Sequence, residues 1–586
     1  TDYNDEEKVI CVFTQERALR LIQDTEFSFD LLYIDEAHNL FEKDERNILL
    51  ARLIKLNKNL NLNQKVVYLS PLIKDANDLI LSKNDLIEMH RIDFNIKEPR
   101  VFLYDDKAKK LEIYNRFINE FFLIENKYKG YIDYLKYNLG NKNLFYFNSP
   151  KQIEKFSQNM LEKIKSSEID YLKLLEDEQI IEFSEMISKY VDQEYNLVEL
   201  IKYGIVYIHG KMPDSIKDYI LNKFTSVKEL KILISNSSIL EGMNLSIDTM
   251  FIFDVYGLNQ NNLINLCGRV NRLSDVFGNN DLSKLFCNIH FIDMGLKQES
   301  FKNKISLLRC DISDDIKNPL LSKSIRDDSG NKILKQENEY IDNHLNNDIK
   351  TKLIKNNLSM VYKDLNLIEG YINRMLSDCE IYSLDLITKI YKVFIFTKEN
   401  LNDFELKRLA YEETRFFYTK YIKNYYHSDL KTKVHFFVNY FENNKNEEYY
   451  IGESFGEIPS RFNPNMNVYI NIKDKTHKEK INLAVIKAKI EDDFIGFKLG
   501  KFVKTLFDLS IISEKEYNDF FYGVNDDNKL ALVKTGIPIT IVKFIQDNKL
   551  ENNFKIKNGI IEIDDTFKSI LSKQDDYIKF EIEKML

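Results

Sequence analysis

Short, near-continuous apolar runs recur along the first half of the chain, separated by amphipathic stretches, and this alternation restricts the fold more than any other feature. Val9-Ile10-Cys11-Val12-Phe13 reads as a buried strand, with a helix from Gln15 to Gln23 behind it. Leu31-Leu32-Tyr33-Ile34 reads as a second strand, followed by a helix from Asp44 to Asn57, and Val66-Val67-Tyr68-Leu69 as a third. Strands that are apolar on both faces and alternate with helices belong to a parallel sheet covered on both sides. The pattern restarts after Gly140, with strands expected at Leu144-Phe145-Tyr146-Phe147, Ile205-Val206-Tyr207-Ile208, Ile232-Leu233-Ile234, Met250-Phe251-Ile252-Phe253 and Ile289-His290-Phe291-Ile292. A long helical stretch, Gln152 to Leu200, lies between the first two of these.

Composition sets the outer limits. At ~150 residues per domain, 586 residues suggest roughly four domains. A hydrophobic share of 44% with 30% charged residues excludes disordered and collagen-like chains, and 18 Gly with 8 Pro leave little room for flexible linkers. The net charge of −9 argues against a protein that coats nucleic acid non-specifically, so a nucleic-acid site must be a local basic channel on an acidic body. Cys11, Cys267, Cys287, Cys310 and Cys379 form no Cys-x-x-Cys pair, which suits reduced thiols and a cytoplasmic location. No apolar run approaches ~18 residues, so no membrane span is expected. The first residues, Thr1 to Glu7, are acidic rather than leader-like, and the absence of a starting Met leads us to expect a trimmed chain. The eight histidines show no metal-ligand spacing, and Glu491-Asp492-Asp493 with Lys498 is too weak a pattern for a nuclease site.

These patterns divide the chain into residues 1–100 as the carboxyl-terminal part of one α/β domain and 101–300 as a second, with a helical insertion near 152–200. A polar linker over 301–345, containing Asp327-Asp328-Ser329-Gly330-Asn331, leads to a helical accessory domain at 346–450 and a mixed domain at 451–586.

The strongest chemical signal is Leu31-Leu32-Tyr33-Ile34-Asp35-Glu36-Ala37-His38. An apolar strand ending in adjacent carboxylates sets both at the carboxyl edge of a parallel sheet, where such folds bind ligands. One carboxylate there can hold Mg²⁺ through water while its neighbour polarises a water that attacks a γ-phosphate. The plainer alternative is an acidic strand end that caps the next helix.

Asp35-Glu36-Ala37-His38 resembles the DEAH box, motif II of superfamily 2 helicases, and further motifs follow in that family's order. Thr14-Gln15-Glu16-Arg17 resembles the element that contacts the tracking strand, Ser70-Pro71-Leu72 stands where motif III has Ser-Ala-Thr, and Asn148-Ser149 resembles motif IV. Tyr207-Ile208-His209-Gly210-Lys211-Met212 resembles the "HHAGL" segment of one branch. Ile232 through Leu245, with Ser238, Gly242 and Asn244, resembles motif V, and Cys267-Gly268-Arg269-Val270-Asn271-Arg272 the "GRAGR" of motif VI. Together they organise residues 9–295. The branch most resembled includes exosome-associated RNA helicases and archaeal repair DNA helicases. The resemblance implies two RecA-like parallel-sheet domains, the first N-terminally incomplete, followed by a mainly helical carboxyl-terminal region.

It also implies roles. Asp35 and Glu36 would bind Mg²⁺ and act on water, and His38 and Ser70 would couple hydrolysis to domain closure. Gly242, Asn244, Asn265 and Gly268 would lie at ATP, and Arg269 and Arg272 would stabilise transition-state charge. Three positions apart, the two arginines would project from one face of a helix. Against this stand a surface arginine pair and, for Ser70, a simple strand-end turn. Thr14, Arg17, Asn148, Ser149, His209 and Ser238 would contact single-stranded or partly duplex nucleic acid, DNA favoured slightly over RNA, through its backbone. Lys407-Arg408, Tyr411, Arg415, Phe416-Phe417, Lys420 and Lys423 suit either a ratchet helix on which bases stack or an amphipathic helix with buried aromatics. Lys473 to Lys504, lysine-rich with interspersed acids, reads as a solvated sheet.

Departures from the family pattern carry equal weight. Pro71-Leu72 removes a hydroxyl from motif III, Asn265 stands where motif VI often has Gln, and Asn271 replaces the middle glycine of "GRAGR". No Gly-x-x-x-x-Gly-Lys-Ser/Thr occurs, so the amide nest and lysine that hold the β- and γ-phosphates are expected upstream of Thr1, and residues 1–586 alone are expected to be inactive. Two functional readings follow: an ATP-dependent helicase or translocase, or a non-catalytic pseudo-helicase that docks on nucleic acid or a partner. The divergent "GRVNR" and the carboxyl-terminal third from Phe521-Tyr522-Gly523-Val524 onward narrow the first reading to a resemblance with the helicase subunit of a Hachiman-type anti-phage system, working beside a nuclease subunit.

Overall fold

The computed structural model describes residues 8–25, 27–37, 40, 45–70, 73, 79, 87–90, 96–237, 245–278, 280–295, 300–309, 340–341, 348–377, 379–396, 398–443, 447–460, 463–524, 526–534, 536–557 and 560–586. The chain forms two compact units. One comprises Thr1–Asp93, Ile312–Tyr411 and Lys501–Ile512, the other Phe94–Asp311, Glu412–Gly500 and Ser513–Leu586. The helical stretch expected over 346–450 therefore divides between them after Tyr411.

The first unit contains α1 (Gln15–Thr25), β1 (Leu31–Ile34), α2 (Glu45–Leu60) and β2 (Lys65–Tyr68). β1 and β2 pair in parallel, with Leu31 opposite Lys65 and Ile34 opposite Tyr68. α2 buries Leu49, Leu50, Leu53, Ile54 and Leu56, and α1 buries Ala18, Leu19 and Ile22. Fully buried Asn57 on α2 fixes the entry to β1: its Oδ1 accepts from the Phe29 N–H at 2.7 Å and its Nδ2 donates to the Phe29 carbonyl at 2.9 Å. The strand expected at Val9–Phe13 is absent. Residues 8–14 are irregular and exposed, Ile10 at 96% and Val12 at 94%, because among the described residues β1 pairs only with β2 and offers this run no partner strand.

The second unit is built on one eight-stranded sheet. Its strands are β3 (Glu98–Asp105), β4 (Lys110–Asn115), β5 (Glu120–Ile124), β6 (Asn143–Tyr146), β7 (Ile205–Tyr207), β8 (Ile232–Ser235), β9 (Thr249–Ile252) and β10 (Phe286–Asp293), in the order β5-β4-β3-β10-β9-β6-β8-β7. β3 to β7 in that order run parallel, while β4 and β5 form an antiparallel meander at one edge. The connecting helices are α3 (Tyr131–Asn138), α4 (Pro150–Lys165), α5 (Glu178–Tyr190), α6 (Asn196–Ile201), α7 (Asp214–Ser226), α8 (Gln260–Gly268) and α9 (Leu273–Gly278). β6, β8 and β9 are buried at every position, each three apolar residues and one buried polar residue, Asn143, Ser235 or Thr249. Phe145 packs edge-on against Phe251 with ring centroids 5.2 Å apart, and Phe147 stacks on Phe253 at 5.0 Å. The chain leaves β6 toward β8 and β7 but leaves β9 toward β10, so the sheet reverses direction between β6 and β9.

Behind this sheet lie α10 (Glu412–Asn424), α11 (Leu430–Asn443), the three-stranded sheet of β11 (Glu448–Tyr450), β12 (Ile458–Pro459) and β13 (Asn467–Asn471), and α12 (His477–Asp493). The lysine-rich stretch read as a solvated sheet is thus a helix buried on most sides. Thr476 and Glu479 close a capping box at its start, and an apolar series of Ile481, Ala484, Val485, Ala488 seats it. Lys487 and Glu491, 2% and 1% exposed, pair with each other across one turn; Tyr418 donates its hydroxyl to Glu491 at 2.7 Å.

His290 on β10 shows how polar groups enter this core. Its ring lies between Phe102 and Phe251, with centroids 5.0 and 4.9 Å away, and its Nδ1 meets the Tyr134 hydroxyl at 2.7 Å. Burial pushes the imidazole pKa down to about 3. Between that value and the ordinary 6.5 the unfolded chain binds a proton that the folded one refuses, so stability is full above pH 6.5 and falls with acidification. The expected slope is about 1.4 kcal/mol per pH unit for this group. Chemical denaturation between pH 7 and pH 4 should show that slope, and His290→Gln should reduce it by about one bound proton.

Candidate functional site

In the first unit, the parallel pairing of β1 with β2 continues past the strand ends. Leu69 N–H donates to the Ile34 carbonyl and Ala37 N–H to the Leu69 carbonyl, both at 2.9 Å. This brings Asp35-Glu36 alongside Leu69-Ser70 at the carboxyl edge of the pair. Asp35 is exposed and turns back on its own backbone, its Oδ1 accepting from the Glu36 N–H at 2.9 Å. Glu36 is half-buried and has a left-handed φ of 50°, a conformation that costs a non-glycine residue about 1–2 kcal/mol. Local strain of this kind aims one carboxylate away from the path of the strand. His38, Pro71 and Leu72 lie outside the described residues.

Thr14 caps α1: its Oγ1 accepts from the Arg17 N–H at 3.4 Å and its carbonyl from Ala18 at 3.0 Å. Arg17 is exposed on the first turn.

In the second unit, Asn148 and Ser149 follow β6 at the reversal point of the sheet, where open α/β folds bind ligands. Both are half-buried, and Ser149 is the N-cap of α4 without a side-chain cap bond. Facing them beyond β9 is the turn Asp254-Val255-Tyr256-Gly257. Buried Asp254 accepts from the Tyr256 N–H at 3.0 Å, Tyr256 is 58% exposed, and Gly257 has φ +70° with the Asn148 amide 3.4 Å from where its Cβ would stand. A side chain at Gly257 would be strained and would press on Asn148. The sequence reading missed Tyr256 and Gly257; the signal available was a glycine directly after the apolar run of β9.

His209 follows β7 and is fully buried. Its Nδ1 accepts from the Lys211 N–H at 3.2 Å, which leaves Nε2 to donate to Glu154 of α4 at 3.0 Å. Its partners are thus internal, and they tie the end of β7 to α4. Ser238, Gly242 and Asn244 lie outside the described residues.

The arginines do not share a helix face. α8 ends at Gly268, Arg269 continues as its C-cap, Val270 bridges in parallel to Ile247, and Asn271 turns left-handed at φ 48°. Arg272 then opens α9, its carbonyl accepting from Asp275 and Val276 at 3.0 Å. The left-handed residue interrupts the helix, so buried Arg269 and half-buried Arg272 stand on either side of a tight turn. Asn265 is half-buried on α8, one turn earlier. A Cβ on Gly268 would meet nothing within 4 Å, and its carbonyl accepts from Lys97 Nζ at 2.9 Å. Burial pushes the Lys97 ammonium pKa down, and the Arg272 charge adds to this while Cys287 and Cys267 oppose it.

Residues 162–274 match the helicase conserved C-terminal domain. The match begins in α4, takes in β7, β8 and β9, and ends at the start of α9, so it includes His209, Asn265, Gly268, Arg269 and Arg272. No curated protein matches the chain. Among solved structures it is similar to Mycobacterium smegmatis helicase Lhr bound to ssDNA and AMP-PNP, at 12% identity and TM-score 0.31, over 48% of this chain and 31% of that one. It is also similar to S. cerevisiae Dbp5 bound to RNA and ADP BeF3, at 12% identity and TM-score 0.32, over 52% of this chain and 64% of that one. The chain spans less than two thirds of either.

Asn271 explains one departure in physical terms. Where "GRAGR" has glycine, the backbone here is left-handed, and asparagine is the side chain that enters that region most readily after glycine. Asn271→Gly should leave stability within about 0.5 kcal/mol, whereas Asn271→Val, β-branched at positive φ and 6% exposed, should cost about 2–3 kcal/mol in urea melts.

Proposed function

We propose that this chain is the motor part of a superfamily 2 nucleic-acid-dependent ATPase, a helicase or translocase. The observation that carries the reading is the helicase C-terminal match at 162–274, preceded in the chain by a β1 strand that ends in Asp35-Glu36. Strand-end carboxylates on a parallel pair suit a hard divalent cation held through water, so the residues present fit Mg²⁺ with ATP. When bound, Mg·ATP would supply the γ-phosphoryl group and neutralise part of its charge.

The chain's own residues divide the remaining work. Asp35, exposed, would hold the metal through its water shell, and Glu36 would orient the attacking water and take its proton. Arg269 and Arg272 meet developing negative charge, with Gly268, Asn265, Gly242 and Asn244 lining the nucleotide. Ser70, beside Glu36 at the end of β2, and His38 carry the change at the carboxylates to the neighbouring segments. Asn148, Ser149, Thr14, Arg17 and Ser238 grip the strand backbone, and His209 acts through Glu154 by holding α4. On α10, Phe416 at 71% exposed shares an outer face with Lys420 and Lys423, which suits base stacking, while Phe417, Tyr418 and Tyr421 pack inward.

A narrower form of the proposal assigns the motor to a Hachiman-type anti-phage system beside a nuclease subunit; failure of any nuclease to copurify with the natural full-length polypeptide would remove it. The competing reading, a non-catalytic docking module, draws on the lack of a Gly-x-x-x-x-Gly-Lys-Ser/Thr segment in these 586 residues. One assay separates the two. ATP hydrolysis by the natural full-length polypeptide should rise with single-stranded nucleic acid, and Glu36→Gln should lower kcat by about 10²–10⁴-fold with little change in strand affinity. Equal inactivity of both proteins on DNA and RNA would overturn the enzyme reading.

A further inference from the structure

The turn that carries Arg269 and Arg272 lies along the amino ends of three neighbouring strands, β3, β10 and β9, and is held from each of them. Asn271 N–H donates to the Ile247 carbonyl at 2.8 Å, two residues ahead of β9, and Val270 bridges to the same residue. From the start of β10, Cys287 Sγ donates to the Val270 carbonyl at 3.4 Å, and the Phe286 carbonyl accepts from Asn271 Nδ2 at 3.4 Å. From the residue just before β3, Lys97 Nζ donates to the Gly268 carbonyl at 2.9 Å.

The last of these bonds answers a need of the helix end. The final carbonyls of an α-helix have no amide ahead of them to accept from. At the end of α8 the Leu266 carbonyl accepts from the Arg269 N–H at 3.1 Å, and the Cys267 carbonyl from the Val270 N–H at 3.3 Å. Left-handed Asn271 then turns its own N–H to Ile247, and the Gly268 carbonyl takes its bond from the Lys97 side chain. A cation at this position also meets the negative pole of the helix.

The bond bears directly on the arginines. A peptide group is planar, so fixing the Gly268 carbonyl fixes the plane from which Arg269 departs. The space beside Gly268 is open, since a Cβ there would meet nothing within 4 Å, so packing on that side does not hold the peptide. Arg269 is 8% exposed, and a displaced backbone could not be corrected by a free swing of its side chain. Lys97 also stands within electrostatic reach of Arg272. One lysine thus acts on both arginines, through the peptide of one and the charge of the other.

We propose that Lys97 is a positioning residue for the arginine turn, holding Arg269 and Arg272 where they meet the charge that develops in ATP hydrolysis. This role rests on the ATPase reading and adds to that site a residue outside 162–274 and outside every motif-like segment of the sequence. The test uses the natural full-length polypeptide and compares Lys97→Met, Lys97→Arg and a matched control, Lys431→Met. Lys431, on α11, makes the same kind of bond elsewhere in the unit, its Nζ donating to the Lys189 carbonyl in the last turn of α5 at 3.2 Å. Lys97→Met removes the donor and its charge but keeps the aliphatic stem. Strand-stimulated kcat should fall about tenfold, while KM for ATP and affinity for single-stranded nucleic acid change less than about twofold. Lys97→Arg keeps a cationic donor and should retain at least about half of the wild-type kcat. Lys431→Met should keep the full rate, and the two Met variants should melt alike. An unchanged kcat in Lys97→Met, an equal loss in Lys431→Met, or a loss that Lys97→Arg does not restore would overturn the proposal and leave the ATPase reading in place. A wild-type polypeptide without strand-stimulated hydrolysis would instead remove the ATPase reading, and this role with it.

Discussion

A parallel strand cannot return to its neighbour without crossing over the sheet, and that requirement organises the second unit. Helices cross a face between β6 and β7, between β7 and β8, and between β9 and β10, so β6, β8 and β9 lose contact with solvent on both sides and coincide with the apolar runs Leu144–Phe147, Ile232–Ile234 and Met250–Phe253. The same constraint gathers the outgoing loops at one edge. It is why Asn148-Ser149 and the Tyr256-Gly257 turn, about a hundred residues apart in sequence, face one another at the point where strand order reverses. The two-stranded pairing of β1 and β2 does the same on a small scale for Asp35, Glu36 and Ser70.

Backbone conformation, more than side-chain identity, accounts for how the motifs depart from expectation. Asn271 can replace a glycine because the position asks for a left-handed φ, and asparagine pays little for it. The same residue ends the helical path that would have set Arg269 and Arg272 on one face. Glu36, also left-handed, has no such propensity; its conformation is sustained by the Asp35 turn and by the ladder bonds on either side of it. Adjacent carboxylates are thereby separated into an exposed one and a half-buried one, a division of environment that suits two different tasks.

Much of the fold was legible because apolar period and length are local properties. Leu31–Ile34 is a strand at the expected residues, and β6 to β10 each overlap the runs from which they were expected. What local pattern could not supply was pairing. Val9–Phe13 has the composition of a strand but no neighbour among the described residues, while in the meander β4 mixes apolar and polar residues and the four-residue apolar run Phe121–Ile124 of β5 was passed over. His209 matched a motif yet lies buried against Glu154, since a strand-end residue followed by a glycine can equally point inward. The lysines of α12 suggested solvent, but Lys487 is held by Glu491 and the Tyr450 carbonyl, partners too distant or too ordinary to be read from sequence.

Those buried lysines bear on where an acidic protein keeps cations for a ligand. Lys142 gives its ammonium to the Phe224, Val227 and Leu230 carbonyls at 2.5, 2.6 and 2.7 Å, closing the end of α7, and burial pushes its pKa down to about 8. Lys433 is held by Asp492 at 2.7 Å, and Lys489 by Asp214 and Asp493 at 2.7 and 3.0 Å. Cations engaged in this way are desolvated and matched internally, so they add little to the outward field. Net charge therefore understates the contrast between regions. With a Debye length of about 8–10 Å, only local groupings of exposed lysines, such as Lys420 and Lys423 on α10, can attract a polyanion.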